Sequence, residues 1–167
     1  MYNFIAGLHC EMSLHIVFVE PEIPGNTGNI ARTCAATGAH LHLVKPLGFD
    51  LSEKAVRRAG LDYWPYVKLK VYDNLSDFLK QNIDKRMFLA TTKGDILYSD
   101  VTFEDEDMIL FGRETAGLPR EFIEANKENA IRIPLSEETR LRSLNLANSA
   151  NIILFEALRQ LGFPELK

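Results

Sequence analysis

Three stretches of this 167-residue sequence concentrate side chains that could bind an anion, orient a hydroxyl or steady a developing charge. The first is Pro24-Gly25-Asn26-Thr27-Gly28-Asn29-Ile30-Ala31-Arg32. Here Gly28 permits close backbone approach to a ligand, Asn26 offers donors and an acceptor, and a young helix presents free N–H groups suited to an anion. Arg32, one turn in, adds a fixed positive charge. The second stretch, Phe111-Gly112-Arg113-Glu114-Thr115-Ala116-Gly117-Leu118-Pro119, sets Glu114 between two glycines, where a carboxylate either meets a cation or caps its own loop. In the third, Ile133-Pro134-Leu135 leads to Arg142-Ser143-Leu144-Asn145-Leu146-Ala147-Asn148. Ser143 is a candidate helix cap there, and Asn145 and Asn148 lie one helical turn apart. Taken singly, each stretch also reads as ordinary turn and cap chemistry. A dinucleotide fingerprint fits poorly, because Gly25-x-x-Gly28 is not Gly-x-Gly-x-x-Gly. Metal catalysis is not expected: His9, His15, His40 and His42 form no ligand cluster with Cys or acids, and His40 and His42 are expected to face one side of the second strand.

The elements that must hold these stretches follow from apolar patterning. Leu14-His15-Ile16-Val17-Phe18-Val19 is a nearly continuous, β-branched-rich run, which predicts a strand covered on both faces as in parallel sheets. A helix is expected from near Gly28 to Gly38, which suits a C-terminal stop. A strand at 41–44 follows, then a short helix capped by Ser52 and running through Arg58, and the aromatic cluster Tyr63-Trp64-Pro65-Tyr66. Further on, the pattern predicts strands at 67–72, 87–91, 107–111 and 130–133. It also predicts helices at 75–82 and from Pro119 through Ala125, with 113–119 as a loop and a long final helix from about Ser143 to Leu161. Alternating strands and helices make an α/β fold with a mostly parallel sheet flanked by helices. The three stretches then all follow strands, where open α/β sheets bind ligands. Their joint occurrence, in that order, marks one composite site. In the last helix, Ala147, Ala150, Leu154, Ala157, Leu158 and Leu161 form an apolar stripe, with Ile152, Ile153 and Phe155 elsewhere on the circumference. Such wide burial is met in the core, or against a second subunit as well.

Composition narrows the setting. With 46% hydrophobic and 25% charged residues, the chain is an ordinary globular protein, and its length suits one domain, taken as 12–167. Residues 1–11 fit no element and are read as an upstream extension or cloning artefact. A formal net charge of −4 argues against an indiscriminate polyanion binder, so any nucleic-acid site must be a local basic patch. Cys10 and Cys34 are the only cysteines, no signal-peptide pattern opens the chain, and no apolar run is long enough for a bilayer, so a cytoplasmic location without a membrane is expected.

Together the three stretches resemble the signature motifs of the SPOUT superfamily of RNA methyltransferases, from about Met12 to Lys167. Within it, Glu20-Pro21-Glu22-Ile23-Pro24-Gly25-Asn26-Thr27-Gly28-Asn29, Arg58-Ala59-Gly60-Leu61-Asp62-Tyr63-Trp64 and Thr91-Thr92-Lys93-Gly94 look like the short, single-domain bacterial tRNA wobble-nucleotide 2′-O-methyltransferases. The resemblance implies a deep C-terminal trefoil knot, a departure from the rule that chains avoid knots. It implies a homodimer whose partner completes the site, S-adenosylmethionine as cofactor and S-adenosylhomocysteine as product. It further implies a tRNA anticodon stem-loop as substrate, methylated on cytidine or modified uridine 34 of leucine isoacceptors. Cofactor contacts carry over to Ala90, Thr91, Gly112, Gly117, Ile133, Ser143, Leu144 and Asn145. The catalytic polar residues carry over to Asn26, Arg32, Glu114, Ser143 and Asn145. One departure is that the segment between Pro134 and Ser143 is about two residues longer than the family pattern, which leaves the placement of Arg140 and Arg142 open.

Family accounts often give the arginine matching Arg32 a proton-abstracting role, but a guanidinium is normally protonated. Stabilisation of a phosphate or the forming alkoxide is the expectation here, with Ser143 and Asn145 orienting ribose and cofactor and Glu114 supporting its loop or a cationic partner. Candidate RNA contacts are Arg57, Arg58, Lys93, Arg113, Arg140 and Arg142, with Tyr63, Trp64 or Tyr66 available to stack on an exposed base. The alternatives are methylation at another tRNA or rRNA position, or a non-catalytic RNA or nucleotide binder.

Overall fold

Among the described residues, five short segments and two still shorter ones assemble into one parallel sheet. The computed structural model describes residues 13–137 and 143–167; the expected extension with His9 and Cys10, and also Arg140 and Arg142, lie outside the described residues. The strands are β1 (His15–Val19), β2 (His40–Val44), β3 (Lys68–Tyr72), β4 (Met87–Ala90), β5 (Ile96–Leu97), β6 (Met108–Phe111) and β7 (Ala130–Arg132). They lie in the order β3-β2-β1-β6-β4-β7-β5, and every pairing is parallel. β1 and β6 are buried at every position, as their unbroken apolar runs require of strands covered on both faces.

Alternation along the strands divides the core in two. Ile16, Phe18, Leu41, Leu43, Ile109 and Phe111 point to one face. There they meet Ile30, Ala31 and Cys34 of α1 (Pro24–Thr37) and Ala150, Ile153, Leu154, Ala157 and Leu158 of α5 (Leu146–Gln160). Val17, Val19, Val44, Leu89 and Leu110 point the other way, toward Tyr72, Phe78 and Ile123. That side is covered by α3 (Leu75–Gln81) and α4 (Arg120–Ala125). The predicted stripe on the last helix is thus its core face, while Ile152 and Phe155 stay partly open. A short α2 (Glu53–Arg58) is capped by Ser52, whose hydroxyl oxygen accepts from the Ala55 N–H.

Several boundaries differ from the sequence expectation for physical reasons. α1 begins at Pro24 rather than Gly28, because Pro is preorganised for the first helical position. It ends as expected at Gly38, which takes a left-handed φ of 76°. α5 is capped by Asn145, not Ser143: the Asn145 side chain accepts from the Asn148 N–H at 3.2 Å, and the helix starts at Leu146. β5 was not expected; two residues carry no period, and it exists by pairing with β7 at the sheet edge.

At the N-terminal edge of the sheet, Asp107 is buried and held by Arg86 through Nε to Oδ1 at 2.7 Å and Nη2 to Oδ2 at 2.6 Å. The sequence expectation considered histidines beside Cys or acids and passed over a cluster of histidines alone. Parallel register sets His15 opposite His40 and Val17 opposite His42, so rings of alternate residues share a face. Ring nitrogens of His15, His40 and His42 all come within 4.8 Å of one another.

Candidate functional site

The chain leaves β4, β6 and β7 at the same, C-terminal edge of the sheet, and the segments that follow enclose a cavity of about 530 Å³. That size is typical of a small-molecule site. The three motif stretches converge there. Asn26 comes from the start of α1, Ala90 and Thr91 from the end of β4, and Gly112, Glu114 and Gly117 from the loop after β6. Ile133 comes from beyond β7, and Ser143, Leu144 and Asn145 from the approach to α5.

The loop after β6 folds back tightly on itself. Gly117 donates its N–H to the Arg113 carbonyl at 2.8 Å and adopts a φ of 71°. A Cβ on Gly112 would lie 2.0 Å from the Gly117 carbonyl carbon and the Leu118 nitrogen, so only glycine permits this approach. The resulting cradle is main chain, with its peptide groups exposed to the cavity. Leu118, Ile131, Ile133 and Leu144 supply apolar wall suited to a flat heterocycle, and Thr91, Ser143 and Asn145 supply polar ends. A nucleoside-bearing cofactor fits this mixture of surfaces.

A polar relay ties the three stretches together. Glu114 accepts from the Glu22 N–H at 2.8 Å on Oε2, and from the Ile23 N–H at 3.1 Å and Asn26 Nδ2 at 2.8 Å on Oε1. Asn26, itself buried, accepts from Asn145 Nδ2 at 2.9 Å. Burial works to raise the Glu114 pKa, but the hydrogen bonds from Asn26, the Glu22 N–H, its own N–H and the Ile23 N–H outweigh it and hold the carboxyl below its ordinary range. Glu114 therefore occupies the anion position expected at the start of the first helix, and it comes from within the chain.

Two candidate residues of the first motif, Gly28 and Arg32, lie elsewhere. Gly28 packs beneath Tyr63, whose hydroxyl donates to the Gly28 carbonyl at 2.7 Å, and it does not reach the cavity. Arg32 is six positions beyond Asn26, about 120° around the helix. Its guanidinium sits on the exposed side of α1, 5.6 Å from the centre of the Tyr63 ring, and not on the cavity wall of this chain. Of the expected RNA contacts, Lys93 and Arg113 line the cavity, with Arg113 paired to Glu20 at 3.4 Å. Arg57 pairs with Glu53 along α2. Tyr66 is exposed, while Tyr63 and Trp64 are partly buried.

Sequence reasoning passed over Glu22, which accepts from the Thr115 N–H at 3.1 Å and from its hydroxyl at 2.8 Å, closing a second link between the first two motifs. It also passed over Ile23, Leu135 and Ser149 on the cavity wall. No local pattern marks them.

The SpoU rRNA Methylase family model matches residues 13–155. Over 149 residues the chain is 48% identical to a tRNA (cytidine(34)-2′-O)-methyltransferase of Methylovorus glucosotrophus, covering 89% of this chain and 96% of that one. A solved structure concerning the 2-OH methylation of C/U34 on tRNA matches with a TM-score of 0.82 and 43% identity, over 90% of this chain and 97% of the other. An AdoMet-bound rRNA methyltransferase from Sinorhizobium meliloti matches with a TM-score of 0.76 and 29% identity, over 89% of this chain and 57% of the longer one.

Proposed function

The chain belongs to the SpoU rRNA methylase family, and from that premise we propose that it methylates the ribose 2′-oxygen of the wobble nucleotide, cytidine or modified uridine 34, in the anticodon stem-loop of tRNA, with leucine isoacceptors as substrates. The methyl donor is S-adenosylmethionine and the product S-adenosylhomocysteine. The observation that carries this reading is the convergence of three separated motifs on one cavity, joined through Glu114, Asn26 and Asn145. The tRNA methyltransferase of Methylovorus glucosotrophus, nearly equal in length and 48% identical, supports the nucleotide assignment.

Bound S-adenosylmethionine supplies an electrophilic methyl carbon on a sulfonium. Ala90, Thr91, Gly112, Gly117, Ile133 and Leu144 hold it, the glycines through main chain. Ser143 and Asn145 would orient it and the ribose; positioning of reactants lowers a barrier by several kcal/mol. Asn26 and Glu114 keep the loops together and leave a negative charge beside the cavity. The Arg32 guanidinium steadies the forming alkoxide or an adjacent phosphate, and the hydroxyl proton leaves to solvent water. Because Arg32 lies off the wall in its own chain, it acts on the cavity of a second copy in a homodimer. The half-exposed Ile23 and Phe155 supply apolar surface for that contact. The transfer step uses no metal, since the sulfonium is already activated.

The reading includes the trefoil knot. β7 lies between β4 and β5, and the chain then returns across the molecule to lay α5 on α1, a path that supports threading through the preceding loop. A cytoplasmic enzyme is consistent with the substrate, and no described helix is long and apolar enough to cross a membrane.

Incubation of the pure protein with labelled S-adenosylmethionine and total tRNA, followed by nuclease digestion and mass spectrometry, tests the assignment. Label is expected on the ribose of nucleotide 34. Label on a base, or in rRNA alone, would overturn it.

A further inference from the structure

We propose that His15, His40 and His42 form a binding site for a divalent transition-metal ion of the zinc type at the N-terminal edge of the sheet. The site is separate from the cofactor cavity by the length of β1, roughly 15 Å for five residues.

Nδ1 of His15 and Nε2 of His42 face each other at 2.8 Å, sharing one proton. Two nitrogens on a tetrahedral zinc ion, each at about 2.0–2.1 Å, stand about 3.3 Å apart. An opening of roughly half an ångström therefore lets a metal take the place of that proton. A ring nitrogen of His40, within 4.8 Å of the others, is the third ligand. A water completes the four-coordinate ion.

What distinguishes this cluster from three histidines in contact is the second nitrogen of each buried ring. A histidine that binds metal characteristically donates its other N–H to a carboxylate or another oxygen, which fixes the tautomer and raises ligand basicity. His42 Nδ1 stands 3.0 Å from the Tyr72 hydroxyl. His15 Nε2 is buried, has no hydrogen bond among the described residues, and faces Glu106 Oε2 at 3.5 Å. On metal binding, the proton shared between the rings moves to His42 Nδ1 and is accepted by the Tyr72 oxygen. His15 keeps its proton on Nε2, directed at Glu106. Both rings stay neutral and no proton is lost.

The surrounding charges make a further distinction. Lys85 pairs with the same Glu106 oxygen. It competes for the carboxylate and repels a cation, so Lys85→Met should tighten metal binding, whereas Glu106→Gln should weaken it about tenfold or more.

The test uses full-length, tag-free protein stripped with a chelator and titrated with Co²⁺, then Zn²⁺. One Co²⁺ per chain is expected, with the intense visible bands of a four-coordinate ion, displaced in equal amount by Zn²⁺. Zn²⁺ should also raise Tm, since a ligand bound by the folded state stabilises it. His40→Gln, at a partly exposed ring, leaves the core intact. It should lose the visible bands and at least about tenfold in affinity, while methyl transfer continues at its former rate. A double variant, His9→Ala with Cys10→Ser, should bind as the parent does. Failure of the folded parent to bind stoichiometrically, retention of the bands in His40→Gln, or their loss in the His9/Cys10 variant would each overturn the site.

Discussion

At the C-terminal edge of the sheet a carboxylate, Glu114, is held by backbone N–H groups and an asparagine; at the N-terminal edge another, Asp107, is held by a guanidinium. Asp107 is buried and Glu114 partly so, and both bind their elements together. The neutral donors around Glu114 leave its negative charge in place beside an open cavity, a setting that favours a cationic ligand. Arg86 cancels the charge of Asp107, and its Nη2 also closes the edge by donating to the Thr102 carbonyl at 2.9 Å. The same side-chain type thus keeps its charge where its partners are uncharged, and has it cancelled where its partner is a cation.

The sharpest way to break this contrast is Gly112→Ala. A Cβ 2.0 Å from main chain cannot be absorbed by a side-chain rotation. The loop must move, and calorimetry should find cofactor binding abolished while the sheet still unfolds cooperatively. Next in size is Arg32→Ala, expected to lower single-turnover methylation about 10²–10³-fold with cofactor affinity nearly unchanged. Equal losses in both would remove Arg32 from the reacting centre. Mixing this variant with Asn145→Ala should restore part of the activity if the site is completed across a dimer.

At the opposite edge the effect should fall on stability alone. Arg86→Ala leaves the buried Asp107 without its cation, and urea unfolding should show a loss of about 3 kcal/mol, with cofactor affinity per folded molecule preserved. Smallest is the pH response of the relay. Because the Glu114 carboxyl sits below its ordinary pKa of about 4.3, its contribution is complete above that pH and disappears as the pH falls through its lowered folded-state value. Glu114→Gln should remove this acid sensitivity and cost about 1 kcal/mol near neutral pH, a modest figure because the group is only partly buried. Unfolding curves across the acid range would reveal it.

Much of the architecture was legible because it is written in local patterns. The apolar runs of β1 and β6, the stop at Gly38 and the stripe from Ala147 to Leu158 need only neighbours a few residues away. The cavity was legible at one remove, since motifs that follow parallel strands must meet at one edge. What escaped depends on partners distant in sequence. The start of α1 is secured by a carboxylate 91 residues later, which no window around Pro24 contains. β5 has two residues and is defined by β7. Asn145 displaces Ser143 as cap, although both are good capping residues, and it is Asn145 that also reaches Asn26. The histidines escaped because strand register decides which of them meet. Arg32 was placed beside the pocket by its motif, while helix geometry turns it away within one chain.

The long reach of Glu114 bears on how the protein comes into being. As the ribosome releases the chain from its N-terminus, α1 can coil early, but its first turn stays without an anchor until the segment after β6 has emerged. Asn26 waits longer still, for Asn145. The pocket is accordingly the last part of the molecule to be assembled, and a prematurely ended polypeptide would carry most of the sheet yet no place for a ligand to settle.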